Sequence, residues 1–150
     1  MPPPPLPPEL QRFLQTPRPA VVATLLAGGS PVTAACWFEW SDGRILLAME
    51  AAGRRVQNLS RDPRVALTAL GDDWYHHVSI LGRAVEIRAD EQFEVIDRMS
   101  MRYLGTAYEF RDEPIVVAVV EVERWHTYGD PPASFDARLG AGSSSGGAEA

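Results

Sequence analysis

The sequence predicts a mainly β protein, a small antiparallel barrel of about six or seven strands with two or three short helices. Strand-like apolar runs follow one another closely along the chain, and short glycine-containing turns separate several of them. Such turns join antiparallel neighbours. One long run also carries Gly82 at its middle, where a bulge can bend a sheet until its edges meet. A closed barrel leaves no sheet edge unpaired.

The first elements are a helix and a three-stranded meander. Residues 1–8 are mostly proline, and we expect them to be extended or disordered. Leu10, Phe13 and Leu14 have helical spacing and predict a short helix over 8–15. Tight turns then separate three predicted strands, which are Ala20–Ala27, Pro31–Trp40 and Ile45–Met49.

Two adjacent arginines, Arg54 and Arg55, stand where the next helix is predicted to begin. Asp62-Pro63 ends that helix, because proline cannot continue it. A helix N-terminus carries unpaired N–H groups and partial positive charge. Arginine can also donate two parallel hydrogen bonds to phosphate oxygens. The pattern predicts a phosphate-binding clamp, and a solvated basic helix start is the alternative interpretation.

The second half of the chain predicts three more strand-like segments and a helix. Asp90 is the predicted N-cap of that helix, whose apolar positions run from Phe93 to Leu104. The predicted strands are Arg64–Leu70, Trp74–Arg88 and Pro114–Glu123, with Trp125–Tyr128 ending the ordered part. Glycine, serine and alanine dominate residues 131–150, so we expect a disordered tail and one domain over 9–130.

Composition limits the classes of function. A net charge of −6 argues against nucleic acid as a partner. Cys36 is the single cysteine, so no disulfide can form within the chain and a reducing compartment is expected. The sequence has no signal peptide pattern and no apolar run long enough to span a bilayer. We therefore expect a cytoplasmic protein with no membrane partner.

The sequence offers few groups for acid–base chemistry. It contains neither a nucleophile triad nor a paired-carboxylate pattern. His77 is the candidate proton donor, with Trp74 and Tyr75 as stacking walls. In the alternative interpretation, His76 and His77 face opposite sides of a strand, one packed and one solvated. No metal site is predicted, because adjacent strand residues cannot converge on one ion.

Five segments occur in a recognisable order, which is Ala23–Leu25, Pro31–Phe38, Arg54–Val65, Leu81–Glu86 and Arg102–Gly105. In this order the chain resembles the pyridoxamine 5′-phosphate oxidase-like, FMN-binding split-barrel superfamily. Within it, the chain is most similar to short single-domain members that use the deazaflavin coenzyme F420. The resemblance runs from roughly residue 10 to residue 128, nearly the whole predicted domain.

The resemblance implies a split β-barrel homodimer with two cofactors in grooves between the subunits. It implies that Arg54 and Arg55 hold the cofactor phosphate. This chain has Met49 and Glu50 where the family often has hydroxyl residues, and a carboxylate beside a phosphate is unfavourable. That departure weakly favours F420 over tightly bound FMN. The implied cofactor-binding residues are Thr33, Ala35, Trp37, Met49, Glu50, Arg54, Arg55 and Asn58.

The activity implied is hydride transfer between F420 and a small, electron-poor organic acceptor. Such chemistry belongs to the cofactor, while the protein supplies orientation and electrostatics. Contacts specific for pyridoxamine phosphate are not recognisable, so vitamin B6 oxidation is not expected. Two alternatives remain open. One is an FMN-binding oxidase or reductase of the same fold, and the other is a non-catalytic split barrel that binds a flavin or a haem-like ligand.

Overall fold

The computed structural model describes residues 1–128, which form one seven-stranded sheet and three helices. The helices are α1 (Pro8–Gln15), α2 (Arg54–Arg61) and α3 (Glu94–Leu104). The strands are β1 (Ala20–Leu25), β2 (Pro31–Cys36), β3 (Glu39–Ser41), β4 (Arg44–Glu50), β5 (Arg64–Leu70), β6 (His77–Ala89) and β7 (Ile115–Tyr128). The predicted mainly β class, strand count and helix count are confirmed. The predicted tail over 131–150 lies outside the described residues.

The strand order closes the sheet into a split barrel. The order is β2-β1-β5-β6-β7-β4-β3, and every neighbouring pair is antiparallel. β2 and β3 lie at opposite edges of this sheet, yet only Trp37 and Phe38 separate them in the chain. The sheet must therefore curl until its two edges meet at these residues.

The predicted single strand Pro31–Trp40 is wrong, because it divides into β2 and β3. β2 pairs with β1, whereas β3 pairs with β4, so the predicted three-stranded meander does not form. At the break, the Tyr103 hydroxyl lies 3.3 Å from the Phe38 backbone nitrogen and 3.4 Å from its carbonyl oxygen. A side chain thus binds backbone groups that a neighbouring strand would otherwise bind, and Phe38 turns into the core.

The predicted bulge at Gly82 is confirmed. The register between β6 and β7 shifts between Leu81 and Gly82, and again between Ala84 and Glu86. A Cβ atom on Gly82 would lie 2.5 Å from the carbonyl oxygen of Glu121, so only glycine lets the two backbones approach this closely. β6 begins at His77 and not at Trp74, because the chain turns back at Gly71, whose N–H donates to the His76 carbonyl at 2.7 Å.

Helix α3 starts later than predicted. Its N-cap is Phe93, in the left-handed region with φ 60°, and not Asp90. The Asp90 carboxylate nevertheless accepts from the backbone N–H groups of Val95 and Ile96 at 3.0–3.2 Å. It therefore satisfies the first turn from outside the helix. The predicted apolar face is too wide, since Leu104 at its end is 65% exposed.

The start of the chain packs on the barrel, which differs from the disorder predicted for residues 1–8. Leu6 is 3% exposed and joins Leu10, Phe13 and Leu14 of α1 in the core cluster. Trp125 of β7 donates its backbone N–H to the Pro2 carbonyl and its indole N–H to the Pro3 carbonyl. This segment and α1 thus cover the barrel interior from one side.

Candidate functional site

Helix α2 is fixed on the barrel through Asn58 and Leu59. Asn58 is 2% exposed, and its amide nitrogen donates to the Thr24 hydroxyl at 3.0 Å while its amide oxygen accepts from Arg61 at 3.0 Å. Leu59 packs into the core. The predicted cofactor contact Asn58 therefore links α2 to β1 in this structure.

The start of α2 presents two free guanidinium groups. No side chain caps the helix at Gly53, and its first turn holds no acidic residue. Among residues 1–128, neither Arg54 nor Arg55 has a hydrogen bond or ion pair, whereas every other described arginine takes part in a polar, ionic or ring contact. Both groups are thus available to bind an anion.

Arg54 and Arg55 border a cavity of about 480 Å³, here called the narrow lobe. The exposed carboxyl residue Glu50 and the buried Met49 lie in its wall. Burial, together with the nearby Glu50 carboxylate, raises the pKa of Tyr108 on the same wall. The residues that line the narrow lobe are Thr24, Val32, Thr33, Ala34, Ala48, Met49, Glu50, Gly53, Arg54, Arg55, Asn58 and Tyr108.

A larger cavity of about 880 Å³, here called the wide lobe, lies beside it. Ala48, Arg55 and Tyr108 line both lobes, so the two are described below as one groove. The residues of the wide lobe are Pro17, Arg18, Pro19, Ala20, Ala35, Cys36, Trp37, Ala48, Arg55, Ile96, Arg102, Tyr103 and Tyr108. Burial raises the pKa of the Cys36 thiol, an effect that the positive charge of Arg55 opposes.

Two stacked rings form a flat wall of the wide lobe. Trp37 and Tyr103 stack with ring centroids 5.4 Å apart and an interplanar angle of 15°. The Tyr103 hydroxyl donates to the Arg18 carbonyl at 2.8 Å, and burial raises its pKa. The hydroxyl therefore stays protonated near neutral pH and holds this wall in place.

The loop between α3 and β7 brings Tyr108 to the groove. The Asp97 carboxylate accepts from the Tyr108 backbone N–H at 3.0 Å and from the Arg111 guanidinium at 2.7 Å. Arg111 also lies over the Phe93 ring, 4.5 Å from its centroid. These contacts tie the loop to α3 and position Tyr108 where the two lobes meet.

The structure brings all eight predicted cofactor-binding residues to this groove. Thr33, Met49, Glu50, Arg54 and Asn58 line the narrow lobe, Ala35 and Trp37 line the wide lobe, and Arg55 lines both. The groove also contains Arg18, Arg102, Tyr103 and Tyr108, which were not predicted as site residues. Arg102 and Tyr103 do belong to one of the segments that carried the family resemblance, whereas no pattern marked Tyr108.

His77 lies in a different cavity, of about 410 Å³, lined by Trp74, Tyr75, His77 and Tyr128. None of these residues lines the groove. The His77 ring stacks on Tyr128 at 5.4 Å, while His76 is buried and paired with Asp73 at 2.5 Å. One histidine is packed and the other is partly exposed, as in the alternative interpretation, but only His77 lies on a strand, because β6 begins there. The structure does not bring His77 to the other predicted site residues within one chain.

Residues 1–128 contain neither a metal-binding cluster nor a membrane-spanning helix. In that part of the chain, no three histidine, cysteine, aspartate or glutamate side chains are arranged to hold a metal ion. None of the helices described there has the length and apolar character needed to cross a bilayer.

Comparison with known proteins gives a family match. The family model described as pyridoxamine 5′-phosphate oxidase matches residues 6–129. No curated protein matches the sequence significantly. An F420 reductase has a similar structure, with a TM-score of 0.74 and 22% identity over 81% of this chain and 98% of that chain. A conserved hypothetical protein from Mycobacterium tuberculosis has a TM-score of 0.70 and 24% identity over 88% and 89% of the two chains.

A third similar structure is general stress protein 26 from Bacillus anthracis strain Sterne. Its TM-score is 0.62, with 15% identity over 80% of this chain and 91% of that chain. At these identities the similarity of the structures concerns the fold.

Proposed function

This chain belongs to the pyridoxamine 5′-phosphate oxidase family, and from that premise we propose that it is an F420-dependent oxidoreductase. It transfers a hydride between the deazaflavin and a small, electron-poor organic acceptor. The family is one of flavin-type oxidoreductases, and an F420 reductase shares this fold. F420 as the cofactor and the direction of transfer are parts of the proposal.

The observation that carries the proposal is the pair of unengaged arginines at the start of α2. Arg54 and Arg55 border the narrow lobe with no carboxylate bound to either among the described residues. A cofactor phosphate would supply the negative charge that the guanidinium groups of Arg54 and Arg55 do not find within the chain described. The residues present therefore fit the phosphate end of a flavin-type cofactor.

The rest of the groove fits a flat ring system. β2 contributes small side chains at Thr33, Ala34 and Ala35, which leave its backbone open to approach. When bound, a deazaflavin supplies the hydride chemistry itself. The protein then binds the phosphate, holds the ring against β2, and shields it from water with Trp37 and Tyr103.

Glu50 favours F420 over FMN within this proposal. Its carboxylate lies in the narrow lobe and has no ion pair among the described residues. A negative charge beside a phosphate weakens binding, so a ligand needs further contacts along the groove to offset it. Met49 and Glu50, which stand where the family often has hydroxyl residues, therefore weakly favour F420 over tightly bound FMN.

We propose further that the active form is a homodimer. Every residue from Pro31 to Ala35 of β2 is exposed, and β2 is an edge strand of the sheet. Val21 on the adjacent strand is 39% exposed and Val32 is 36% exposed. An uncovered apolar edge is a surface that a second copy can pair with or cover. The family resemblance implies cofactor grooves between subunits, and a second copy placed there would form the other wall of such a groove.

Arg55→Glu is expected to abolish cofactor binding and leave the barrel folded. The change puts a negative charge where the phosphate binds, while the Arg55 side chain makes no hydrogen bond in the described structure. Fluorescence titrations of the purified chain with F420 and with FMN measure the affinity. Circular dichroism checks the fold.

Arg124→Glu is the matched control for that titration. Arg124 is exposed on β7 and borders neither lobe, yet its replacement changes the net charge by the same amount. It should bind the cofactor like the unmodified chain. Unchanged cofactor affinity in Arg55→Glu would show that Arg55 does not bind the phosphate. Tighter binding of FMN than of F420 by the unmodified chain would show that the cofactor is FMN and not F420.

The dimer is tested by light scattering coupled to gel filtration. We expect twice the chain mass of 16.5 kDa at micromolar concentration. Val32→Arg should shift the chain toward monomer, because it places a charge on the exposed edge strand. A monomer for the unmodified chain would contradict the proposed assembly.

A further inference from the structure

The narrow lobe has few charged residues in its wall, and they are of both signs. Arg54 and Arg55 each contribute one positive charge, Glu50 contributes one negative charge, and every other lining residue is uncharged. Two positive charges and one negative charge leave one net positive charge at the end of the groove where the phosphate is proposed to bind.

Glu50 is held next to the start of α2 by a tight turn. Its carbonyl oxygen accepts from the N–H of Gly53, the N-cap of α2, at 3.0 Å. Its side chain is exposed, and among residues 1–128 its carboxylate has no hydrogen bond or ion pair. Burial, together with the Glu50 carboxylate, raises the pKa of Tyr108, which lines the same lobe. The negative charge of Glu50 therefore acts inside the narrow lobe and is not cancelled by Arg54 or Arg55.

The charge of a bound phosphate decides how strongly Glu50 opposes binding. A phosphomonoester carries a charge of about −1.5 to −2 at pH 7, whereas a phosphodiester carries a single negative charge. The repulsion by one carboxylate is proportional to the charge on the phosphate. The cost of taking an ion out of water rises with the square of its charge, while its attraction to one net positive charge rises only in proportion. The narrow lobe is therefore better matched to a phosphodiester.

A phosphodiester also needs space for the group on its second ester oxygen. Arg54 and Glu50, at the phosphate end of the narrow lobe, are both exposed, so this end of the groove opens to solvent. The second group can extend out of the groove there, whereas a phosphomonoester has no use for such an opening.

From these observations we infer that the narrow lobe selects a singly charged phosphodiester over a doubly charged phosphomonoester, and that Glu50 is the specificity-determining residue. The inference rests on the proposed function, since it takes Arg54 and Arg55 as the residues that bind the phosphate. F420 is a phosphodiester and FMN is a phosphomonoester. The Glu50 carboxylate weakens the binding of both, but it weakens the binding of the monoester more.

Three ligands that share one ring system test the inference. They are the deazariboflavin that forms the ring and ribityl part of F420, its 5′-phosphate, and the methyl ester of that phosphate. Each is titrated by fluorescence into the full chain at pH 8 and constant ionic strength. If FMN is the cofactor that binds in the titration described above, riboflavin, FMN and the methyl ester of FMN take their place. We expect the methyl ester to bind about threefold more tightly than the monoester, the size expected of one exposed charge interaction.

Glu50→Gln should remove this preference. We expect it to tighten the binding of the methyl ester about threefold and that of the monoester about tenfold, because the lost repulsion counts twice for a double charge. Glu50→Asp keeps the charge and should keep the preference. Glu91→Gln is the control for net charge, because Glu91 is exposed and borders neither lobe; it should leave all three affinities unchanged.

Melting curves establish that each variant is folded. If Glu50→Gln does not fold, the comparison of the two esters on the unmodified chain decides. The inference would be overturned if the unmodified chain bound the monoester as tightly as the methyl ester or more tightly. It would also be overturned if folded Glu50→Gln changed the two affinities by the same factor or left both unchanged.

The ligand without a phosphate separates this inference from the proposed function. If all three ligands bind with one affinity, the phosphate makes no contact, and both the proposed phosphate site and the selection by Glu50 are wrong. If both esters bind more tightly than the ligand without a phosphate but are not distinguished from each other, only the selection by Glu50 is wrong. The Arg55→Glu titration tests the phosphate site independently.

Discussion

At the scale of single residues, the site depends on side chains that other groups leave free. Among residues 1–128, Arg54 and Arg55 make no hydrogen bond or ion pair, whereas the buried Arg18 has one nitrogen without a hydrogen-bond partner. The first case can be anticipated from sequence, because two arginines follow a strand and precede a helical pattern. The second cannot, since it depends on Phe13 and Asp72 reaching Arg18 from separate elements.

Gly82→Ala tests the closest backbone approach in the barrel. Its methyl group would lie 2.5 Å from the Glu121 carbonyl oxygen and 2.7 Å from Val120 Cγ1, so β6 and β7 would have to separate. We expect a loss of unfolding free energy of about 1–3 kcal/mol or more, as for an overpacked core. Urea denaturation measures it.

Gly28→Ala is the matched control for that measurement. An added methyl group there meets no atom within 4 Å, so the unfolding free energy should change by only about 0.5 kcal/mol. An equal change in unfolding free energy in the two variants would contradict the close approach of β6 and β7 at Gly82.

At the scale of elements, strands and helices with a clear period were predicted well. β5 spans Arg64–Leu70 and α1 spans Pro8–Gln15, both as predicted, because alternation and helical spacing record which face is buried. The break at Trp37 and Phe38 was missed, since it depends on the Tyr103 hydroxyl, 65 residues away. Local apolar content cannot distinguish one strand from two when a distant side chain binds the backbone.

The loop carrying Tyr108 gives a prediction at this scale. Asp97→Asn removes the charge that binds Arg111 and leaves an oxygen for the Tyr108 N–H. We expect the hydrogen-exchange protection of the Tyr108 amide to fall about two- to fivefold at pH 7, the size expected of a solvent-exposed ion pair. Glu94→Gln on the same helix is the control.

The same contact should depend on pH. The hydrogen bonds from Arg111 lower the pKa of Asp97 from its ordinary 3.8. The group is thus more acidic when folded, so its stabilisation is complete above pH 3.8 and is lost as the pH falls through the lowered pKa. Protection in the unmodified chain should approach that of Asp97→Asn only in this acidic range, and an equal difference at every pH would contradict the ion pair.

At the scale of the whole molecule, the barrel includes a segment that composition alone assigned to disorder. Leu6 among the N-terminal prolines is 3% exposed, because the carbonyls of Pro2 and Pro3 accept hydrogen bonds from Trp125. Prolines cannot donate such bonds, but they accept them in an extended conformation. Sequence composition indicates the tendency of a segment to be disordered, but it does not indicate the tertiary contacts that can order it.

Leu6→Ala is expected to lower the unfolding free energy by about 2 kcal/mol or more, since it leaves a cavity between the N-terminal segment and α1. Leu104→Ala makes the same chemical change at a side chain that is 65% exposed and should alter it by about 0.5 kcal/mol or less. Guanidinium denaturation compares the two variants. Similar midpoints would show that the N-terminal segment does not pack in solution.

The passage from β2 to β3 has a consequence for the molecule as a whole. Six hydrogen-bonded strand pairs connect the seven strands around the barrel. The backbone through Trp37 and Phe38 joins the two edge strands, β2 and β3, and so closes the barrel. A strand in an open sheet can slip by two residues and disturb one neighbour. In the closed barrel, a register shift in one strand pair has to be compensated in another pair, so the alignments of the strands depend on one another.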